Sequence, residues 1–164
     1  MRFFTRNVVS GKMADVEVDR VYSAYKQHIG AIVDTSPEDI AELAQTNLHD
    51  GLIRRVVVDH GTHKLLLALR CGDLQAGYID VDIRYSGITL TPQQSQVLLH
   101  RTYDRRTEIL ADEIDIFSNG RFVHRLIFWP DEELEIVFSG LNITKQRQLD
   151  RKVACDEEPY IEIR

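Results

Sequence analysis

Cysteine is scarce in this chain. Cys71 and Cys155 are the two among 164 residues. That is too few for a disulfide framework, and their spacing makes no Cys-x-x-Cys metal site. Cys71 ends an apolar run and reads as a small buried hydrophobe. Cys155 lies in an acidic tail and reads as an exposed thiol. Basic residues are outnumbered, 20 against 26 acids, giving a net charge of −6. This argues against a general nucleic-acid binder, because phosphate neutralisation needs a positive surface. Long apolar runs are missing as well. No window approaches the roughly 18 uninterrupted apolar residues of a membrane span. Met1-Arg2-Phe3-Phe4-Thr5-Arg6 is charged but lacks the apolar segment that follows in a signal peptide. The expected location is the cytoplasm, with no membrane association. A Gly-rich phosphate loop, a Gly-x-Ser-x-Gly elbow and His-Glu-x-x-His are all absent. No cofactor or metal is therefore expected.

What is present suits one globular domain. Hydrophobic residues make up 43% and charged residues 28%, too apolar a mixture for a disordered chain. Phe3, Phe4, Val8 and Val9 form a short apolar start, read as a strand or an extended arm, which Ser10-Gly11-Lys12 ends. From Ala14 to Val33 the apolar residues recur every three or four positions and predict an amphipathic helix. Ser36 as cap, Pro37 at the first position and the acids Glu38 and Asp39 predict a second, short helix. After Leu48-His49-Asp50-Gly51 the pattern changes. Leu52 to Asp59 is β-branched, Lys64 to Cys71 is apolar on both faces, and Tyr78 to Tyr85 alternates strictly. These predict strands, the second of them central. Thr91-Pro92-Gln93-Gln94 matches a capping box and opens a third helix to about Tyr103. Three strands should follow: Ile109 to Phe117, Phe122 to Trp129 after an Asn119-Gly120 turn, and Leu134 to Phe138 with a continuation toward Ile143. Lys145 to Glu158 reads as a charged tail, and Tyr160 to Ile163 as a short edge strand or an ordered end. The expected fold is α+β: a mainly antiparallel sheet of about six or seven strands, N-terminal helices and one inserted helix.

The opening Met1-Arg2-Phe3-Phe4-Thr5-Arg6, the helical lead and Leu48-His49-Asp50 before a strand resemble a family of small bacterial proteins, a domain of unknown function. In that family Leu-His-Asp precedes a two-hairpin region, and a later hairpin carries acids on its strands. Here Asp112-Glu113-Ile114-Asp115 through Phe138 corresponds. Members usually follow the Asp with Ala, where this chain has Gly51. The resemblance implies no catalytic activity. Similar Leu-His-Asp openings occur among toxin-immunity and other accessory genes, which implies a binding role with a protein partner.

Three constellations carry chemical potential. His49 and Asp50 are the candidate catalytic pair, a general base or half a metal site. The alternative is that they bond turn amides, and adjacent strand residues point to opposite faces, which argues against a direct dyad. His60 and His63 could share a metal, but no third ligand lies near them in sequence, so an exposed turn is favoured. The third set comprises Asp80, Asp82, Glu113, Asp115 and Glu135, with His124 and Arg84. Gathered on one face, such acids could hold a cation. Offset across strands by Arg84, Arg121 and Arg125, they are an ordinary charged face, and this reading is preferred. Whether His49, Asp50, His124, Glu113 and Glu135 converge is open at this level. The preferred function is a non-enzymatic cytoplasmic binding or accessory protein, of the immunity-protein kind. The alternative is a hydrolase or metal-dependent enzyme using His49, Asp50 and strand carboxylates. Self-association through a sheet edge or an apolar helix face is a further possibility.

Overall fold

The computed structural model describes residues 1–104, 107–130, 132–151 and 160–164. The chain is α+β and mainly antiparallel, as the sequence patterning predicts. Its strands divide into two sheets. β1 (Leu52–Asp59), β2 (Lys64–Asp73), β3 (Gly77–Ser86), β7 (Gly140–Gln148) and β8 (Tyr160–Ile163) form a five-stranded sheet in the order β7-β3-β2-β1-β8. β4 (Ile109–Ile116), β5 (Phe122–Phe128) and β6 (Glu132–Phe138) form a three-stranded sheet. The apolar run of β2 lies at the centre of the larger sheet, as its two-faced pattern requires. β8 is an edge strand and pairs parallel with β1.

The sheets face one another across one core. Leu65, Leu67, Val81, Ile83 and Tyr85 from the larger sheet meet Ile114, Leu126, Ile136 and Phe138 from the smaller. Helices close the ends. α2 (Asp15–Val33) reaches β4, α3 (Glu38–Ala44) packs on β7, and α4 (Pro92–Tyr103) spans β1, β6 and β8. α4 begins in the expected capping box: Thr91 Oγ1 accepts from Gln94 N at 3.2 Å, and Gln94 Oε1 accepts from Thr91 N at 2.7 Å. Gln94 then donates to the carbonyl of Glu135 at 2.5 Å, which occupies the open edge of β6.

Four local expectations are corrected. Arg6–Val9 is a short helix, α1, where a strand or extended arm is predicted. The cap position of α3 is Pro37, not Ser36, and no side chain caps it. The strand expected to run from Leu134 toward Ile143 breaks at Ser139, and its two halves join different sheets. The start of the charged tail, through Gln148, is strand β7. Its polar side chains suit an edge strand with one wet face. The rest of the tail at 152–159, Cys155 included, lies outside the described residues.

Candidate functional site

Strand β4 is the place where the distant sequence motifs meet. Leu48 is fully buried and anchors the chain ahead of it. His49 and Asp50 then lie in a turn before β1, not in the strand. Asp50 has φ +58°, a left-handed conformation that Asp tolerates better than most residues. This overturns the opposite-faces argument. The two side chains meet, with His49 Nε2 3.3 Å from Asp50 Oδ1. The His49 ring is fixed from its other side, where Nδ1 lies 2.7 Å from the Leu110 carbonyl and donates to it. The backbone locks onto β4 as well: Asp50 N donates to Ile109 O at 2.8 Å and Ile109 N to Gly51 O at 3.0 Å. Gly51 is needed for space. A Cβ there would stand 2.7 Å from the Leu48 carbonyl oxygen and 3.0 Å from Cys71 Sγ. Both His49 and Asp50 side chains are about half exposed, so the pair is a surface feature.

The next residues of β4 face alternately inward and outward. Asp112 points to the interior side and reaches His124 Nε2 at 3.1 Å. His124 is completely buried, and its Nδ1 lies 2.7 Å from the Tyr85 hydroxyl. One consistent arrangement has Nε2–H donating to Asp112 and the Tyr85 hydroxyl donating to Nδ1, so that every buried polar atom is satisfied. This Tyr85–His124–Asp112 chain joins the two sheets. Burial, reinforced by Asp112, raises the Tyr85 hydroxyl well above its ordinary range. Burial also pushes the Cys71 thiol up to about 12, with Asp112 and Asp80 adding to it. Cys71 is therefore a protonated core residue, as its place in sequence suggests, and not a reactive thiol.

Glu113 points to the outer face and is 1% exposed. Its carboxylate accepts consecutive backbone N–H groups of the N-terminal arm: Arg2, Phe3 at 2.8 Å and Phe4 at 3.3 Å. Arg125 on β5 lies 3.5 Å from Glu113 and from Asp115, and 2.9 Å from Glu135 on β6. Asp115 also meets His28 of α2 at 3.0 Å and Arg2 at 3.3 Å. At the strand edge, Ile114 N donates to the Tyr25 hydroxyl at 2.9 Å. The arm thus lies between the aromatic side of α2 and the acidic outer face of the three-stranded sheet. Phe3 stacks near Tyr25 and His28, and Phe4 near Tyr22 and Tyr25, at centroid distances of 4.8–5.4 Å.

The predicted acids therefore occupy two places. Asp80 and Asp82 lie on the outer face of the other sheet. There Arg54 is 3.0 Å from each, Arg70 is 2.5 Å from Asp80, and Arg84 is 3.0 Å from Asp82. Arg125 does offset the acids across strands; Arg84 pairs with Asp82 along its own strand, and Arg54 and Arg70 supply the cross-strand partners there. Arg121 does not; it bonds the Gly87 and Val137 carbonyls instead. His124 and Glu113 face opposite sides of one sheet, and His49 and Asp50 lie outside both, so the five candidates do not converge. His60 and His63 are exposed in the β1–β2 turn. Among the described residues no three His, Cys, Asp or Glu side chains are grouped to hold a metal ion. Nor is any helix there long and apolar enough to cross a membrane. Sequence reasoning missed the arm's seat and the Tyr85–His124–Asp112 chain. The burial of Glu113 has no local signal, since the backbone N–H groups that cover it belong to Arg2, Phe3 and Phe4 at the far end of the sequence. Comparison with known proteins finds no matching family model, no similar curated protein and no similar solved structure.

Proposed function

We propose that this chain is a non-enzymatic binding or accessory protein of the cytoplasm, of the immunity-protein kind. The observation that carries the reading is the disposition of its polar groups. Each candidate is engaged within the fold, at separate places: His49 with Asp50 and Leu110, His124 between Tyr85 and Asp112, and the outward acids with Arg125, Arg54 and Arg84. A catalytic centre needs acid, base and substrate contacts directed at one point. The likeness of Met1–Arg6 and Leu48–Asp50 to the small bacterial family supports the same reading. So does the way these two stretches and the acidic β4 come together in space. The test is affinity capture from the source cell's extract, followed by reconstitution with purified components. A 1:1 complex that survives His49→Ala is expected. No partner, together with a turnover activity abolished by His49→Ala, would overturn it.

A second reading, a hydrolase or metal-dependent enzyme, is favoured by one contact. The Leu110 carbonyl orients the His49 ring and Asp50 sits at its other nitrogen. A carbonyl on Nδ1 is how a general base is oriented, and Asp50 must turn away from Nε2 for that nitrogen to meet a substrate. It requires tight divalent-metal uptake, or hydrolysis of a chromogenic ester or phosphate that His49→Ala and Asp50→Ala each reduce. Equal rates in all three proteins would remove it.

A further inference from the structure

The arm, residues 1–9, rests on a surface with the features of a peptide site. One wall is aromatic: Tyr22, Tyr25 and His28 of α2. The floor is acidic: Glu113, Asp115, Glu133 and Glu135, with Arg125 set among them. What fills the surface is complementary in each respect. Arg2 reaches Asp115, and Arg6 lies 3.6 Å from Glu133. Phe3 and Phe4 pack on the aromatic wall, and the backbone N–H groups between them converge on the buried Glu113.

The arm is also mechanically separate. Its buried apolar side chains, Phe4 and Val8, are not members of the cluster that joins the two sheets. It connects to α2 through exposed Ser10-Gly11-Lys12, where Gly11 has φ +67° and open space around it. A left-handed glycine with no neighbours can re-orient without disturbing packing. With the arm lifted, Glu113 regains water while keeping Arg125, so neither position leaves an unpaired buried charge.

We propose that the arm is a displaceable strap, occupying in cis a site that accepts a basic, aromatic segment of another protein. This rests on the binding reading and names the partner's chemistry: cations about four residues apart, as Arg2 and Arg6 are, flanking paired aromatic side chains. The strap competes with that segment, so apparent affinity falls by the fraction of molecules in which the seat is open. Loosening the strap raises that fraction and tightens binding in trans.

The test uses the full chain and a double variant, Arg2→Glu with Phe3→Ala, whose folding is checked by melting temperature and far-UV circular dichroism. The probe is a fluorescein-labelled peptide with the sequence of residues 1–9, followed by anisotropy at low and high salt. Binding to the variant should be at least about tenfold tighter than to the parent, and weaker at high salt. Adding Glu113→Gln to the variant should reverse the gain. A peptide with both arginines changed to glutamate should not bind. In the parent, hydrogen exchange of residues 2–9 should be faster than that of β2. No binding to the folded variant would overturn the proposal, as would arm exchange as slow as that of β2. A captured protein partner that the peptide cannot compete away sinks the strap and leaves the binding reading standing. Peptide binding without any cellular partner supports the strap and sinks the accessory reading beneath it.

Discussion

The outer faces of the two sheets carry the same kind of residues and differ in what lies over them. On the five-stranded sheet, Arg54 pairs with Asp80 and Asp82 across strands, Arg84 pairs with Asp82 along its own strand, and Arg84 is half exposed. On the three-stranded sheet, Arg125 pairs with Glu113, Asp115 and Glu135, and the arm covers them so that Glu113 is 1% exposed. The alternation of charge along the strands is alike. What differs is the roof, supplied by residues at the other end of the chain. Paired surface charges contribute about 0–1 kcal/mol each. A buried carboxylate holding three N–H groups is a different object, because removing it strands those donors. The Arg70–Asp80 pair shows the same effect on a small scale. It is buried where Gln148 and the Asp150 carbonyl close over it.

The largest expected effect is therefore at Glu113. Glu113→Ala should lower stability by about 2–3 kcal/mol, by leaving the arm's amides without an acceptor, while Arg125 keeps Asp115 and Glu135. Asp82→Ala, on the open face, should cost less than about 1 kcal/mol. Urea midpoints of the two variants measure the contrast, and equal losses would break it. The same distinction separates the buried His124–Asp112 pair from the surface His49–Asp50 pair. Tyr85→Phe removes the hydroxyl that satisfies buried His124 and should cost about 1–2 kcal/mol by the same measurement. The surface pair should matter less through its charges than through its backbone. Asp50→Ala places an alanine at φ +58° and should cost about 1 kcal/mol, whereas Asp50→Gly should be nearly neutral. If both substitutions cost the same, the Asp50 carboxylate and not its backbone holds the turn.

These contrasts mark how far the sequence was legible. Period-two and helical spacing located the strands and the longer helices, because each depends on neighbours a few residues away. The Thr91 capping box was legible for the same reason. The split into two sheets was not: it turns on Ser139, where nothing local separates β6 from β7. Strand geometry argues against a direct His49–Asp50 contact, but the position is a left-handed turn. Glu113 looked like one acid among several, since burial of a charge is decided by what folds over it. Gly51 marked only a departure from the usual Ala of the similar family; its role is spatial, set by Leu48 and Cys71 closing around it.

The finest test of the roofed face is its response to acid. Burial pushes the Asp115 carboxyl upward, but the Ile116 N–H, His28 and Arg2 outweigh it and hold the group below its usual range. Arg125 faces it from β5, and Glu113 is the neighbouring acid on the same strand face. A carboxyl lowered in the folded state stabilises the fold above its unfolded value of about 3.9, and that contribution is lost as pH falls through the folded value. Parent and Asp115→Asn should therefore differ in melting temperature at pH 7 and converge below about pH 4. The hydrogen exchange of residues 2–9 should follow the same course, because Asp115 binds both Arg2 of the arm and His28 of α2. Melting curves that stay parallel down to pH 3 would mean that Asp115 is as open as the acids of the other sheet. The arm would then be held by Glu113, Glu133 and its aromatic packing on α2.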